Sequence, residues 1–150
     1  MLQFKRNQSA FTLIELLVVV IIVAVLAAVG VPLLSANIDR ARATEAETAL
    51  GAIRTAVRAY GVEFNAYPAT PTTTGTGMTA SDLGGHFYDS AAFSIKTSSF
   101  SAKTFCLNAD GSASGAPGNA KVTSLDRSMN EAGTIWDALA CAAGSGTQLN

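Results

Sequence analysis

One stretch constrains this chain more than any other. Residues 11–34, FTLIELLVVVIIVAVLAAVGVPLL, are 24 consecutive residues with one charge, Glu15, and one further polar side chain, Thr12. As a helix rising 1.5 Å per residue, the run spans about 36 Å, enough to cross a bilayer core of roughly 30 Å. Ahead of it lies a ten-residue start, MLQFKRNQSA, with Lys5 and Arg6 and no acid. Basic residues on that side predict a single pass with a cytoplasmic N-terminus. The simplest reading is a cleaved secretory signal, but the run exceeds the usual apolar core of about 7–15 residues.

Glu15 sharpens the problem. An acid at the bilayer centre costs on the order of 2.5–3.5 kcal/mol, and less near the interface, where Glu15 sits. A carboxylate in such a place calls for a cation, and its own helix supplies none. A cut between Ala10 and Phe11 would create an α-amino group at the membrane surface. Glu15, then the fifth residue, could pair with the amine of a neighbouring molecule. The residues alone therefore point to proteolysis at Ala10–Phe11 followed by lateral assembly.

The same residues carry a resemblance. Ala10-Phe11-Thr12-Leu13-Ile14-Glu15-Leu16 after a short basic leader resembles the class III signal of type IV prepilins and type II secretion pseudopilins. The likeness runs through Leu26-Ala27-Ala28 to Pro32, which matches the helix-kinking proline of many type IV pilins. It implies that a membrane-embedded prepilin peptidase cleaves after Ala10 and N-methylates Phe11. It also implies that Glu15 contacts the N-terminal amine of an adjacent subunit. Residues 11–34 would anchor the precursor in the inner membrane, working with an inner-membrane assembly platform, and then enter the core of a homo-oligomeric helical filament. Two positions depart from the family: Ala10 stands where Gly is usual, and Ala24 where many pilins have a helix-breaking Gly. Gly30 lies just before Pro32, so any melting of the helix in a filament is expected there.

From Ser35 the composition changes abruptly to a charged helical pattern. Ala46, Ala49/Leu50, Ile53, Val57, Tyr60 and Phe64 recur at spacings of three and four, which predicts one helix from Phe11 to Phe64 with a stripe facing a sheet. Pro32 is expected to bend this helix without ending it. The opposite face is expected to be solvated, or to pair between subunits through Asp39, Arg40, Arg42, Glu45 and Glu47. Residues 65–90 read as an αβ-loop. Its Thr-rich part, 70–79, is a plain surface loop or a carrier of O-glycans.

Beyond the loop, 52 of residues 69–150 are Ala, Ser, Thr, Gly, Asn or Pro. Runs 92–97, 102–107, 121–125 and 134–139 stand out as β-capable, the last being also compatible with a short helix. The expected fold is thus α+β and type IV pilin-like: a long N-terminal helix packed on an antiparallel sheet of three or four strands. The organisation is a leader at 1–10, an apolar helix at 11–34 and a globular head at 35–150, with the sheet and a C-terminal disulfide region in 91–150. Cys106 and Cys141, 35 residues apart, resemble the pair that bounds the C-terminal loop of many type IV pilins. A bridge is expected after translocation into an oxidising compartment, the alternatives being two separate thiols or a metal pair.

The whole-chain numbers exclude other classes. A net charge of −1 and a pI near 5.7 disfavour a nucleic-acid binder, and no specific nucleic acid is expected as a partner. His86 is the only histidine. Read alone it is a loop or core-edge residue, and Trp136 a core anchor. No GxSxG, HExxH or Walker sequence occurs, so neither an enzyme nor a cofactor is expected. Asp82, Asp89 and Asp110 lack the spacing of an EF-hand loop, and no metal is expected. The reading is a structural pilin of an extracellular filament. A pseudopilin of a type II secretion or DNA-uptake system is the alternative within the family; the two cysteines favour the pilin, since major pseudopilins usually lack them. A secreted binding module with an ordinary signal peptide is the alternative from another class.

Overall fold

The computed structural model describes residues 11–141 and 147–149; the leader, Ala10 included, lies outside them. Two compact units divide the chain, Met1–Asn37 and Ile38–Asn150. One helix, α1 (Leu13–Phe64), has residues in both.

In the first unit, Leu13 to Leu34 form helix with every large apolar side chain exposed, from Val18 at 47% to Leu13 at 83%. A helix that is apolar all round has no preferred face, so no stripe selects a partner within its own chain. The helix continues through Pro32. Proline has no amide hydrogen to give the carbonyl of Ala28. Ser35 Oγ donates to the carbonyl of Pro32 at 2.9 Å.

In the second unit the pattern is a stripe, and it is buried. Ala43, Ala46, Leu50, Ile53, Val57 and Gly61 are the buried positions of α1. The expected stripe holds from Ala46 to Val57 and then departs. The buried face continues to Gly61, whereas Phe64 is exposed and stacks on Tyr60 with ring centroids 4.4 Å apart. Gly61 lies under the Tyr67 ring, where a Cβ would stand 2.9 Å from Tyr67 Cε1. Tyr67 in turn packs edge-on against Phe105 and Phe100. The ring that covers this end of the stripe thus comes from the loop rather than from the helix. Asn65, in the left-handed conformation (φ 50°), follows the last helical residue, as C-terminal caps often do.

A short 3₁₀ turn, Ser90–Ala92, leads into the sheet. Its strands are β1 (Phe93–Ser99), β2 (Thr104–Ala109), β3 (Arg127–Asn130) and β4 (Ile135–Trp136), antiparallel and in sequential order. A register shift between Ile95 and Thr97 leaves Lys96 as the extra residue of a bulge. Phe93, Phe105, Leu107, Ala109 and Met129 share one core with Ala46, Leu50, Ile53 and Val57 of α1. The strands expected at 92–97 and 102–107 are present within a few residues, and 134–139 contracts to the two residues of β4.

The strand expected at 121–125 is absent. Lys121 ends a 3₁₀ turn, and the amides of Val122 and Leu125 donate to the carbonyls of Asn119 and Val122. Val122 is fully buried, but it reaches the core from a turn. The third strand is Arg127–Asn130 instead. Its one apolar residue, Met129, points to the core, and its other three side chains hide it from a search by β propensity.

Candidate functional site

Thr12 and Glu15 lock the start of α1. Glu15 Oε2 accepts from the Thr12 amide at 3.0 Å and from Thr12 Oγ1 at 2.8 Å, while the Glu15 amide donates back to Thr12 Oγ1 at 3.3 Å. This is a capping box, in which side chains satisfy amides that the first turn leaves without partners. Thr-x-x-Glu ahead of an apolar run is its sequence signal, though no expectation above rests on it. The box aims the carboxylate at the chain's N-terminal end, and the helix macrodipole favours a negative charge there. Phe11, 82% exposed, lies one residue outside it. Phe11, Ile14, Glu15, Val18 and Val19 line one shallow recess on the helix surface.

The predicted site residues therefore fall at separate places. Phe11 and Glu15 meet at the N-terminal end of α1. Pro32 sits 17 residues beyond Glu15, about 25 Å along a helix. Cys106, in β2, is disulfide-bonded to Cys141 in the second unit.

The charged face of α1 serves contacts within the head that neither expectation for that face includes. Glu45 accepts the amides of His86, Phe87 and Tyr88 at 3.2, 2.8 and 2.7 Å, and so pins the end of the αβ-loop to the helix. Gly85 passes so close to the Glu45 carboxylate that a Cβ there would collide with it. Glu47 Oε1 accepts from Arg127 Nε of β3 at 3.0 Å, and Arg54 Nε donates to the carbonyl of Glu131 at 2.8 Å. Arg42 pairs with Asp39 at 2.7 Å and lies over the Phe87 ring.

The aspartates are spent on turns. Asp82 accepts from the amide and hydroxyl of Thr79, which hold its carboxyl below the usual range. Asp89 caps the 3₁₀ turn through the Ala91 amide and also accepts from the Gly115 amide. Asp110 accepts from Ser112, whose hydroxyl is the main cause of its lowered pKa. Burial pushes Asp126 up, against the lowering effect of the Gly111 amide. Among the described residues no cluster of three or more His, Cys, Asp or Glu could hold a metal ion. Tyr88 is fully buried, its hydroxyl donates to the carbonyl of Leu125, and burial raises its pKa to about 12. His86 is exposed, with its ring edge-on to Phe87. Trp136 is buried, but outside the cluster that packs on α1.

Comparison with known proteins meets the same two regions. Residues 5–31 match the family model of the prokaryotic N-terminal methylation motif. The chain is 44% identical over 66 residues to the type II secretion system core protein G of Pseudomonas aeruginosa, and 39% identical over 66 residues to that of Aeromonas hydrophila. Each match takes in 44% of this chain and 46% of the relative, so the chain spans about half the length of these relatives. It is 28% identical over 133 residues to the fimbrial protein EcpC of Eikenella corrodens, covering 89% of this chain and 83% of that protein. No solved structure matches. The methylation motif, the long helix on a four-stranded antiparallel sheet and these relatives fit the type IV pilin and pseudopilin family.

Proposed function

We propose that this chain is a structural subunit, a pilin, of a type IV pilus-like extracellular filament. The observation that carries the reading is the first part of α1, apolar on every side and exposed throughout, beginning at a capped carboxylate. Such a surface is stable in only two settings, lipid or the company of other apolar helices. The precursor uses the first, as an inner-membrane protein with Lys5 and Arg6 in the cytoplasm. The assembled subunit uses the second. Prepilin peptidase cleaves between Ala10 and Phe11 and methylates the new amine of Phe11. Glu15, already aimed at that end of the helix by Thr12, pairs with the amine of an adjacent subunit. Pro32 gives the helix a position at which to adjust as it leaves lipid for the filament. The subunit does no chemistry of its own.

The pseudopilin reading shares every one of these steps. The identity to core protein G favours it, while the fimbrial relative, whose match extends over most of the head, favours the pilin. Mass spectrometry of the mature N-terminus tests what both share. The expected result is N-methylated phenylalanine at Phe11; a chain beginning after Leu34 would return the run to the role of an ordinary signal peptide. Electron microscopy with antibody to the head then separates the two, since a pilin labels long surface fibres.

A further inference from the structure

Where α1 ends, the head carries a cleft of about 390 Å3, within the range of about 300–1,000 Å3 usual for ligand sites. Three parts of the chain meet there. They are the last turns of α1 with Asn65 and Tyr67 just beyond, the β1–β2 turn with Phe100 and Lys103, and Glu131 of the β3–β4 turn. The wall is aromatic: Tyr67 and Phe100 are half-buried, with their rings edge to face at 5.5 Å. The rim is charged. Arg58 reaches Glu131 at 3.5 Å, and both stay partly exposed. Lys103 is exposed, and among the described residues no ion pair includes it. Backbone conformation singles out this lysine. Residues 100–103 join the two strands, and the Lys103 amide closes the turn by donating to the carbonyl of Phe100 at 3.1 Å. The last residue of the turn takes a positive φ, 52° at Lys103. Glycine or asparagine suits such a position, because a β-carbon is crowded there. Lysine bears that strain, yet its ammonium finds no acidic partner among the described residues. Asn65, the other non-glycine residue with a positive φ among the described residues, lines the same cleft. Strain of this kind gathers at binding sites, where the surrounding structure holds a side chain in place for a ligand.

We propose that this cleft binds an acidic saccharide, a uronate unit of a polysaccharide, with Lys103 as the residue that reads its charge. A uronate uses every part of the lining. Its carboxylate meets the Lys103 ammonium in a charge-assisted hydrogen bond. Its C–H face lies on the Phe100 and Tyr67 rings, whose faces carry partial negative charge. Its hydroxyls donate to the Glu131 carboxylate and bond with the Asn65 amide. A bare anion would leave the rings without a role, and a neutral sugar would leave Lys103 without one. Arg58 stays with Glu131 and keeps that carboxylate in place at the rim. Binding at the cleft does not rest on assembly of the chain. A filament would repeat the site on every subunit, and a polymer held at many weak sites is retained better than its single unit.

Titration of the full chain in detergent micelles with trigalacturonate, followed through amide chemical shifts, tests the proposal. The shifts should move at residues 61–67, 100–104 and 131. The fully methyl-esterified trimer has the same rings and no charge, and it should bind about tenfold more weakly or worse, the loss of one charge-assisted hydrogen bond. Lys103→Gly should lose the same factor toward the acid while melting at or above the parent's temperature, since glycine fits the turn. Phe100→Leu keeps an apolar side chain without a ring, and it should weaken the binding of acid and ester alike. Equal binding of acid and ester, or undiminished binding by either variant, would overturn the proposal. A lower melting temperature for Lys103→Gly would mean that the turn itself keeps the lysine, and would overturn it as well. Triglutamate binding as tightly as trigalacturonate would make the cleft a plain anion site and remove the saccharide. No binding of trigalacturonate, or shifts confined to other parts of the head, would remove the site.

Discussion

The two halves of α1 share one secondary structure and nothing else. From Leu13 to Leu34 the helix is apolar on all sides but for Glu15, and its large apolar side chains are exposed. From Ile38 to Phe64 the apolar positions fall on one stripe, and the stripe is buried against the sheet. Backbone hydrogen bonds make a helix of either sequence, so helicity says nothing about role. The distribution of apolar residues around the helix does. Where they cover one face, that face packs on the rest of the chain; where they cover every face, the whole surface calls for an apolar surrounding, in lipid or in protein.

The first half is most sensitive at its charge. Glu15→Ala should leave membrane insertion and the head's thermal melt unchanged, yet abolish or nearly abolish filaments counted by electron microscopy. Normal fibres would remove Glu15 from assembly. In the second half, Ile53→Ala should cost about 2–5 kcal/mol, the usual penalty for emptying a packed aliphatic site. Chemical denaturation of the full chain in micelles measures it. Val20→Ala, the same kind of truncation in the exposed half, should leave that transition in place.

Smaller effects sharpen the contrast. Arg127→Ala removes the bond to Glu47 and a second one to the carbonyl of Asp126. A loss of about 1–2 kcal/mol is expected, because Arg127 is only 11% exposed and its removal leaves the half-buried Glu47 without this partner. The smallest effect concerns Asp126. Its folded pKa is raised, chiefly by burial, so the folded chain binds this proton more tightly than the unfolded chain does. That preference stabilises at pH below the ordinary carboxylate range and is lost as pH rises through the raised value. Asp126→Asn has no such loss, and its side-chain oxygen can still accept the Gly111 amide. The variant's advantage over the parent should therefore grow with pH from about 3.5 and level off near neutrality. A constant difference at all pH values would trace it to packing.

Of the start of α1, the local geometry was legible in the sequence. Phe11, Thr12, Glu15 and the apolar run are neighbours in sequence, and a helix needs only local spacing to place them. The helix stripe and the first two strands were legible for the same reason, since periods of three to four and of two survive in the sequence. The third strand was not. Arg127–Asn130 has too few apolar residues to show alternation, and it is a strand because β2 offers it an edge.

Local sequence alone divides this protein into an apolar helix and a small-residue head and puts Thr12 and Glu15 at the helix's start. Those are properties of composition and of contacts between residues a few positions apart. The folded chain settles how the head's charges are spent: Glu45 on amides 41 to 43 residues away, Glu47 on Arg127, 80 residues away. It also settles that Asn108 is buried and donates to the carbonyl of Leu139, 31 residues away. A polar side chain carries no mark in sequence of the partner it will meet. The meeting depends on where the fold returns the chain, and that is a global outcome of burying the stripe.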